Sequence, residues 1–131
     1  MRSLQPNILV IDDEQDTLKL LKIALEKRGF SALTASNWDD VAYLVERAAV
    51  IERPIDLIIL DIMMPDRSGF DVLRALQVVL APLPPVIMLS AVTGIDQQIK
   101  AMELGATKYM TKPTTPTKLI SAIDEILKRK N

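Results

Sequence analysis

The chain contains no histidine and no cysteine. Without imidazole there is no histidine general acid or base and no histidine metal ligand. Without a thiol there is neither a disulfide framework nor a thiolate metal site. Charge of one sign is missing too. Against 17 Asp and Glu stand 16 Lys and Arg, a formal net charge of −1, so no global field points to nucleic acid or a membrane surface. No apolar run approaches the roughly 18 residues of a membrane span. The Met1 end has no long apolar segment of the signal-peptide kind. Repeats, low-complexity segments and internal linkers are absent. The expectation is a cytoplasmic protein of one domain, 1–131, with Met1 to Pro6 and the end of "KRKN" as loose termini.

What is there is 49% hydrophobic, 131 residues long, and patterned. Short apolar runs alternate with longer amphipathic ones. "NILVI" (7–11) reads as a buried strand ending at Asp12. From about Asp16 to Arg28, Leu18, Leu21 and Leu25 recur at helical spacing, with Gly29 as a C-terminal stop. "SALTA" (31–35) is a weaker strand. Asn37 can cap a helix carrying Val41, Leu44, Val45 and Ala48. "DLIIL" (56–60) is apolar throughout, as a central strand covered on both faces should be. Phe70 to about Leu80 reads as helix, and Pro82, Pro84 and Pro85 forbid its continuation. "VIMLS" (86–90) is a further buried strand. Ile95, Ile99 and Met102 mark a short helix that stops near Gly105. "KYMT" (108–111) is a fifth strand, and Pro116 can open a last helix with Leu119, Ile120, Ile123, Ile126 and Leu127.

Five strands and five helices in strict alternation imply a parallel sheet with helices on both faces. Right-handed crossovers leave few topologies, and the flavodoxin-like, doubly wound (βα)5 fold with strand order 2-1-3-4-5 is favoured. In such sheets ligands bind beyond the carboxyl ends of the strands. Strand one delivers Asp12, Asp13 and Glu14 there. Strand three delivers Asp61, strand four Ser90 and Ala91, strand five Lys112 and Pro113. Clustered carboxylates repel unless a cation joins them. An all-oxygen set suits Mg²⁺. A hard dication, an ammonium, a hydroxyl and a spare carboxylate together can receive a phosphoryl group, with Asp61 as nucleophile.

Four segments in order, "LVIDDE" (9–14), "LIILDIMMPDRSGFDVL" (57–73), "VIMLSA" (86–91) and "GATKYMTKP" (105–113), resemble the response-regulator receiver domain of two-component signalling. The resemblance implies a phosphorylation-dependent switch that is not an enzyme on other substrates and catalyses only its own phosphorylation and slow dephosphorylation. It implies Asp61 as phosphoacceptor, Asp13 as direct Mg²⁺ ligand and Asp12 as an acidic partner that can act through water. The Met63 carbonyl would complete the protein ligands. Ser90 resembles the hydroxyl that bonds the phosphoryl group, Lys112 the lysine that pairs with it before a cis proline, Pro113, and Tyr109 the aromatic switch residue. Met63 and Val92 resemble the two positions that flank the attacking water and set lifetime. The implied partners are a sensor histidine kinase or phosphotransfer protein upstream, and downstream either a separate protein or a linked output domain. The changing face would be that of the fourth helix, fifth strand and fifth helix. Without histidine, the chain cannot itself carry the phosphohistidine donor.

Blander readings stand beside these. A lone Asp after an apolar strand is most often a turn residue. Asp12 and Asp13 could cap the first helix. Ser90 could be a loop hydroxyl and Tyr109 a half-buried strand aromatic. Asp66, Arg67 and Ser68 read as solvated loop, and Glu14 as a helix N-terminal charge. A haloacid-dehalogenase-type phosphatase would need a D-x-D pattern after the first strand, where this chain has "DDEQD". A degenerate receiver that only binds would lose Asp61, an acidic-pair member or Lys112, and all are present. Lys108 stands where many receivers carry Asp, and Thr114 where winged-helix regulators place Phe, so a dimer of their kind is not expected. "LAPLPP" (80–85) is either a contact surface or packing against its neighbouring helix.

Overall fold

A computed structural model describes residues 5–64 and 66–130, with 129 and 130 as backbone only. The elements run β1 (Asn7–Ile11), α1 (Gln15–Lys27), β2 (Ser31–Ala35), α2 (Trp38–Val50), β3 (Leu57–Leu60), α3 (Gly69–Val79), β4 (Val86–Ser90), α4 (Ile95–Glu103), β5 (Lys108–Thr111) and α5 (Pro116–Lys130). All strand pairs are parallel, and the order is β2-β1-β3-β4-β5. This is the flavodoxin-like arrangement expected from the alternation.

The pleat sorts the strand residues into two cores. Leu9, Ile11, Ile58, Leu60, Val86 and Met88 face α2, α3 and α4. Ile8, Val10, Leu57, Ile59, Ile87 and Leu89 face α1 and α5, where Leu18, Leu21, Leu25, Leu119 and Ile123 meet them. β1, β3 and β4 are buried along their whole length, which explains their unbroken apolar runs. β5 lies at the sheet edge and is only partly covered.

Local chemistry sets the helix ends. The Asn37 side chain accepts from the Asp40 amide at 2.9 Å and caps α2, as the sequence predicts. α1 ends before Gly29, whose φ of +87° suits glycine. Thr115 Oγ1 accepts from the Lys118 amide at 3.1 Å in the first turn of α5.

Two expectations need correction. Gln5 and Pro6 are not loose: the Gln5 carbonyl accepts from Arg53 and the Pro6 carbonyl from the Ser31 amide. Lys128 to Lys130 form the C-terminal end of α5, as their basic character suits. Met1 to Leu4 and Asn131 lie outside the described residues, as do Pro65 and the side chains of Arg129 and Lys130. Ser68 is not solvated loop but the N-cap of α3, its Oγ accepting from the Asp71 amide at 3.2 Å. α4 forms where Ile95, Ile99 and Met102 mark it, yet that stripe faces outward, at 67%, 50% and 49% exposure, while Ala101 is the buried side. Periodicity reports that a helix forms, not which face the sheet takes.

Candidate functional site at the carboxyl edge of the sheet

The register fixes the site. Ile11 pairs with Leu60, Leu60 with Met88, and Ser90 with Thr111, so the residues that follow each strand emerge on one edge. Asp12, Asp61 and Ser90 are buried there, while Asp13 is exposed. One carboxylate oxygen each from Asp12, Asp13 and Asp61 falls within a sphere of mutual distances no greater than 4.8 Å. Lys112 reaches into this group. Its Nζ lies 2.6 Å from Asp12 Oδ2, 2.9 Å from Asp61 Oδ2 and 3.6 Å from Glu14 Oε1. The first two contacts are shielded from solvent. Glu14 is 66% exposed and contributes little.

The second oxygens of the buried carboxylates are also held. Asp12 Oδ1 accepts from the Glu14 amide at 3.0 Å, and Asp61 Oδ1 from the Met63 amide at 3.1 Å. Burial raises the Asp12 pKa above its ordinary 3.8, against the hydrogen bonds and charge of Lys112 that pull it down. Burial would lower Lys112, but its bonds and Coulombic attraction to Asp12 and Asp61 win and raise its pKa above 10.5. The ammonium is therefore permanently charged at neutral pH. Each carboxylate oxygen keeps a lone pair beyond its present bond. An all-oxygen donor set of three carboxylates fits a hard dication.

Ser90 and Tyr109 are joined through one residue. Ser90 Oγ accepts from the Val92 amide at 3.2 Å, and the Tyr109 hydroxyl donates to the Val92 carbonyl at 2.5 Å. Sequence reasoning selected Val92 for its side chain and missed that its backbone amide and carbonyl link the two. The Lys112 amide donates to the Ser90 carbonyl at 2.8 Å, tying β4 to the residue before Pro113. The Lys112–Pro113 bond is cis, as expected, and so is Ala81–Pro82, which was not.

Asp12, Asp13, Asp61, Ser90 and Lys112 stand together at this edge, whereas Tyr109 lies inside β5 opposite Met88 and reaches it through the Val92 carbonyl. One contributor was missed. Gly69 packs its Cα against the backbone of Asp61 and Ile62, and its amide donates to the Ile62 carbonyl at 2.7 Å. Arg67 sits over Trp38, 5.4 Å from the ring centroid. The close approach of backbone to backbone leaves no trace in periodicity; for Gly69 the signal was a glycine opening a helix after a polar turn.

The family description "response regulator receiver domain" matches residues 8–124. The chain is 36% identical over 123 residues to the phosphate regulon transcriptional regulatory protein PhoB of Pseudomonas aeruginosa, covering 93% of this chain and 52% of that protein. It is 44% identical over 106 residues to the transcriptional regulatory protein KdpE of Mycobacterium tuberculosis, covering 81% and 44% respectively. The chain thus spans about half the length of these relatives. A two-component response regulator from Clostridium difficile superposes with a TM-score of 0.85 at 26% identity, over 97% of this chain and 99% of that one. With the strand order, the carboxyl-edge acids and the lysine already in place, these matches fix the family: the chain belongs to the response regulator receiver domains.

Proposed function

We propose that the chain is a phosphorylation-dependent signalling switch whose phosphoacceptor is Asp61. The observation that carries this is the buried Asp61 carboxylate bound by Lys112 and flanked by Asp12 and Asp13. In the reaction an Asp61 oxygen attacks phosphorus. The bond from phosphorus to the donor breaks, and its electron pair leaves with the donor: an imidazole nitrogen if the donor is a kinase or phosphotransfer phosphohistidine, a carboxylate if it is an acyl phosphate. Asp12, Asp13, Asp61 and the Met63 carbonyl would hold Mg²⁺, which when bound neutralises charge on the transferring group. Lys112 holds the developing charge on the phosphoryl oxygens. Ser90 has a hydroxyl proton to offer them. No other substrate is turned over.

The test is direct. With Mg²⁺ and acetyl phosphate the protein should gain one base-labile phosphoryl group by mass. Asp61→Asn should show none. An unchanged gain would remove the nucleophile assignment.

The Val92 backbone, through its amide on one side and its carbonyl on the other, would supply the switch. New acceptor oxygens and about −1.5 to −2 charges draw the Ser90 hydroxyl toward Asp61. Ser90 and Tyr109 share Val92, so a move at one is passed to the other and to the face of α4, β5 and α5. α4 buries little besides Ala101 and is free to respond. Beryllofluoride should shift the NMR signals of Val92, Tyr109 and Ile95. Shifts confined to residues around Asp61 would sink the coupling. The downstream partner is a separate protein or a linked output unit, since the relatives are transcriptional regulators about twice as long.

Lifetime should be long. Met63 is 60% exposed beside the acid group and Val92 partly buried, and neither side chain can orient a water. Met63→Asn with Val92→Glu should speed phospho-Asp61 decay by roughly tenfold, because a positioned nucleophile replaces an obstructed one. Equal decay in the two proteins would show that the residues do not set it.

A further inference from the structure

Arg67 has no role in the chemistry above. Trp38, the chain's only tryptophan, opens α2 and packs against the core beneath α2, α3 and α4, so it is a fixed platform. The Arg67 guanidinium rests over its ring. Among the described residues the guanidinium makes the ring contact and no carboxylate or carbonyl accepts from it. Arg67 lines one solvent-open cleft of 540 Å³ with Asp13, Met63 and the Asp66 carboxylate, and Ile62, the residue after the phosphoacceptor, also lines it. The stack is not needed to hold this loop. Ser68 caps α3, and the Gly69 amide already ties α3 to the Ile62 carbonyl.

An anionic phosphodonor approaching this edge meets Asp12, Asp13, Asp61 and Glu14, and Asp66 in the cleft itself, while among the described residues Lys112 is the ammonium bonded to the acid group. A second cation on the approach offsets that repulsion. Held over an aromatic ring, it loses less side-chain entropy when it binds an anion than a free arginine would. We propose that Arg67, presented on Trp38, is a specificity-determining residue that captures dianionic phosphodonors at the mouth of the site. The inference rests on Asp61 being the phosphoacceptor.

The experiment compares acetyl phosphate with phosphoramidate, which carries one negative charge fewer at neutral pH. Phosphorylation rates are measured across donor concentrations in Mg²⁺ buffer. Arg67→Ala should raise KM for acetyl phosphate by about fourfold at low salt and leave the saturating rate in place. The change for phosphoramidate should be smaller. Salt at about 0.5 M should erase the difference between variant and wild type. Arg67→Lys should retain most of the capture, and Trp38→Leu should lose part of it by releasing the arm. Equal losses with both donors, a fall in saturating rate, or a salt-independent change would overturn the proposal and leave Arg67 a loop-packing residue. If wild type takes phosphoryl from neither donor, the phosphoacceptor reading fails, and this inference falls with it.

Discussion

Gly69→Ala should lower the melting temperature by roughly 10 °C. A methyl placed at Gly69 would lie 2.2 Å from the Asp61 carbonyl oxygen, 2.6 Å from Ile62 Cα and 2.9 Å from the Asp61 carbonyl carbon. All three are backbone, so no rotamer relieves the clash. Either α3 retreats from β3 or the Asp61–Ile62 peptide is pushed aside. Overpacking of this kind costs about 3 kcal/mol. Retreat would strain the 2.7 Å bond from the Gly69 amide to Ile62, and displacement would misaim Asp61 itself. The variant should therefore also be phosphorylated slowly. Gly29→Ala is the control. That glycine has φ of +87° and open space around it, so alanine should cost only about 1 kcal/mol there. Melting curves of the two variants decide the matter. If Gly69→Ala melts no lower than Gly29→Ala, steric contact is not why glycine stands at 69.

The contrast between these glycines shows where sequence reading stops. Gly29 was legible, because a glycine after a helical run is a local stop signal. Gly69 was not: a glycine opening a helix after a polar turn is a faint signal, and its reason lies in a strand end eight positions earlier. The strands and their order followed from apolar runs and alternation, which local physics imposes on a sheet covered on both faces. The acid edge followed from asking what ends each strand. Contacts between loops did not follow. Nothing in "SNWDD" or "PDRSG" says that Trp38 and Arg67 meet, and nothing in "SAV" says that Val92 serves both Ser90 and Tyr109. The outward stripe of α4 was hidden for a different reason. Its spacing is right for a buried face, but Ala101 is the side small enough to lie close to the sheet. Lys100, one position back, lies 4.5 Å from the centroid of Phe70 and links α4 to the start of α3.

The other large effect is expected at Lys112. Lys112→Met keeps the bulk of the stem and removes the charge. Asp12 and Asp61, 4% and 6% exposed at their side chains, would then face each other without a cation. Breaking a buried pair from one side costs about 3 kcal/mol, because uncompensated charge remains inside. The pH dependence identifies the cause. In the variant, Asp12, already raised by burial, loses the Lys112 hydrogen bond and charge that pull its pKa down, so that pKa rises further. The folded state then binds more protons than the unfolded one, so stability falls as pH rises through that elevated pKa and returns as pH drops below it. The deficit should be largest at neutral pH and shrink toward the acid range. In the wild type the raised Lys112 pKa has its own signature. Its contribution is complete below 10.5 and is lost only as pH climbs past the elevated folded value. Mg²⁺ supplies the third measurement. It competes with the ammonium for Asp12 and Asp61, so removing the ammonium should tighten its binding. At a Mg²⁺ concentration near 100 times Kd the cation returns about 2.7 kcal/mol. Lys112→Met should therefore gain more thermal stability from Mg²⁺ than wild type gains, and Asp13→Ala in that background should remove the gain. A variant as stable as wild type at neutral pH, or one that Mg²⁺ fails to rescue, would mean that Lys112 does not neutralise this acid group. The loss of phosphorylation expected of the same variant would then need another cause.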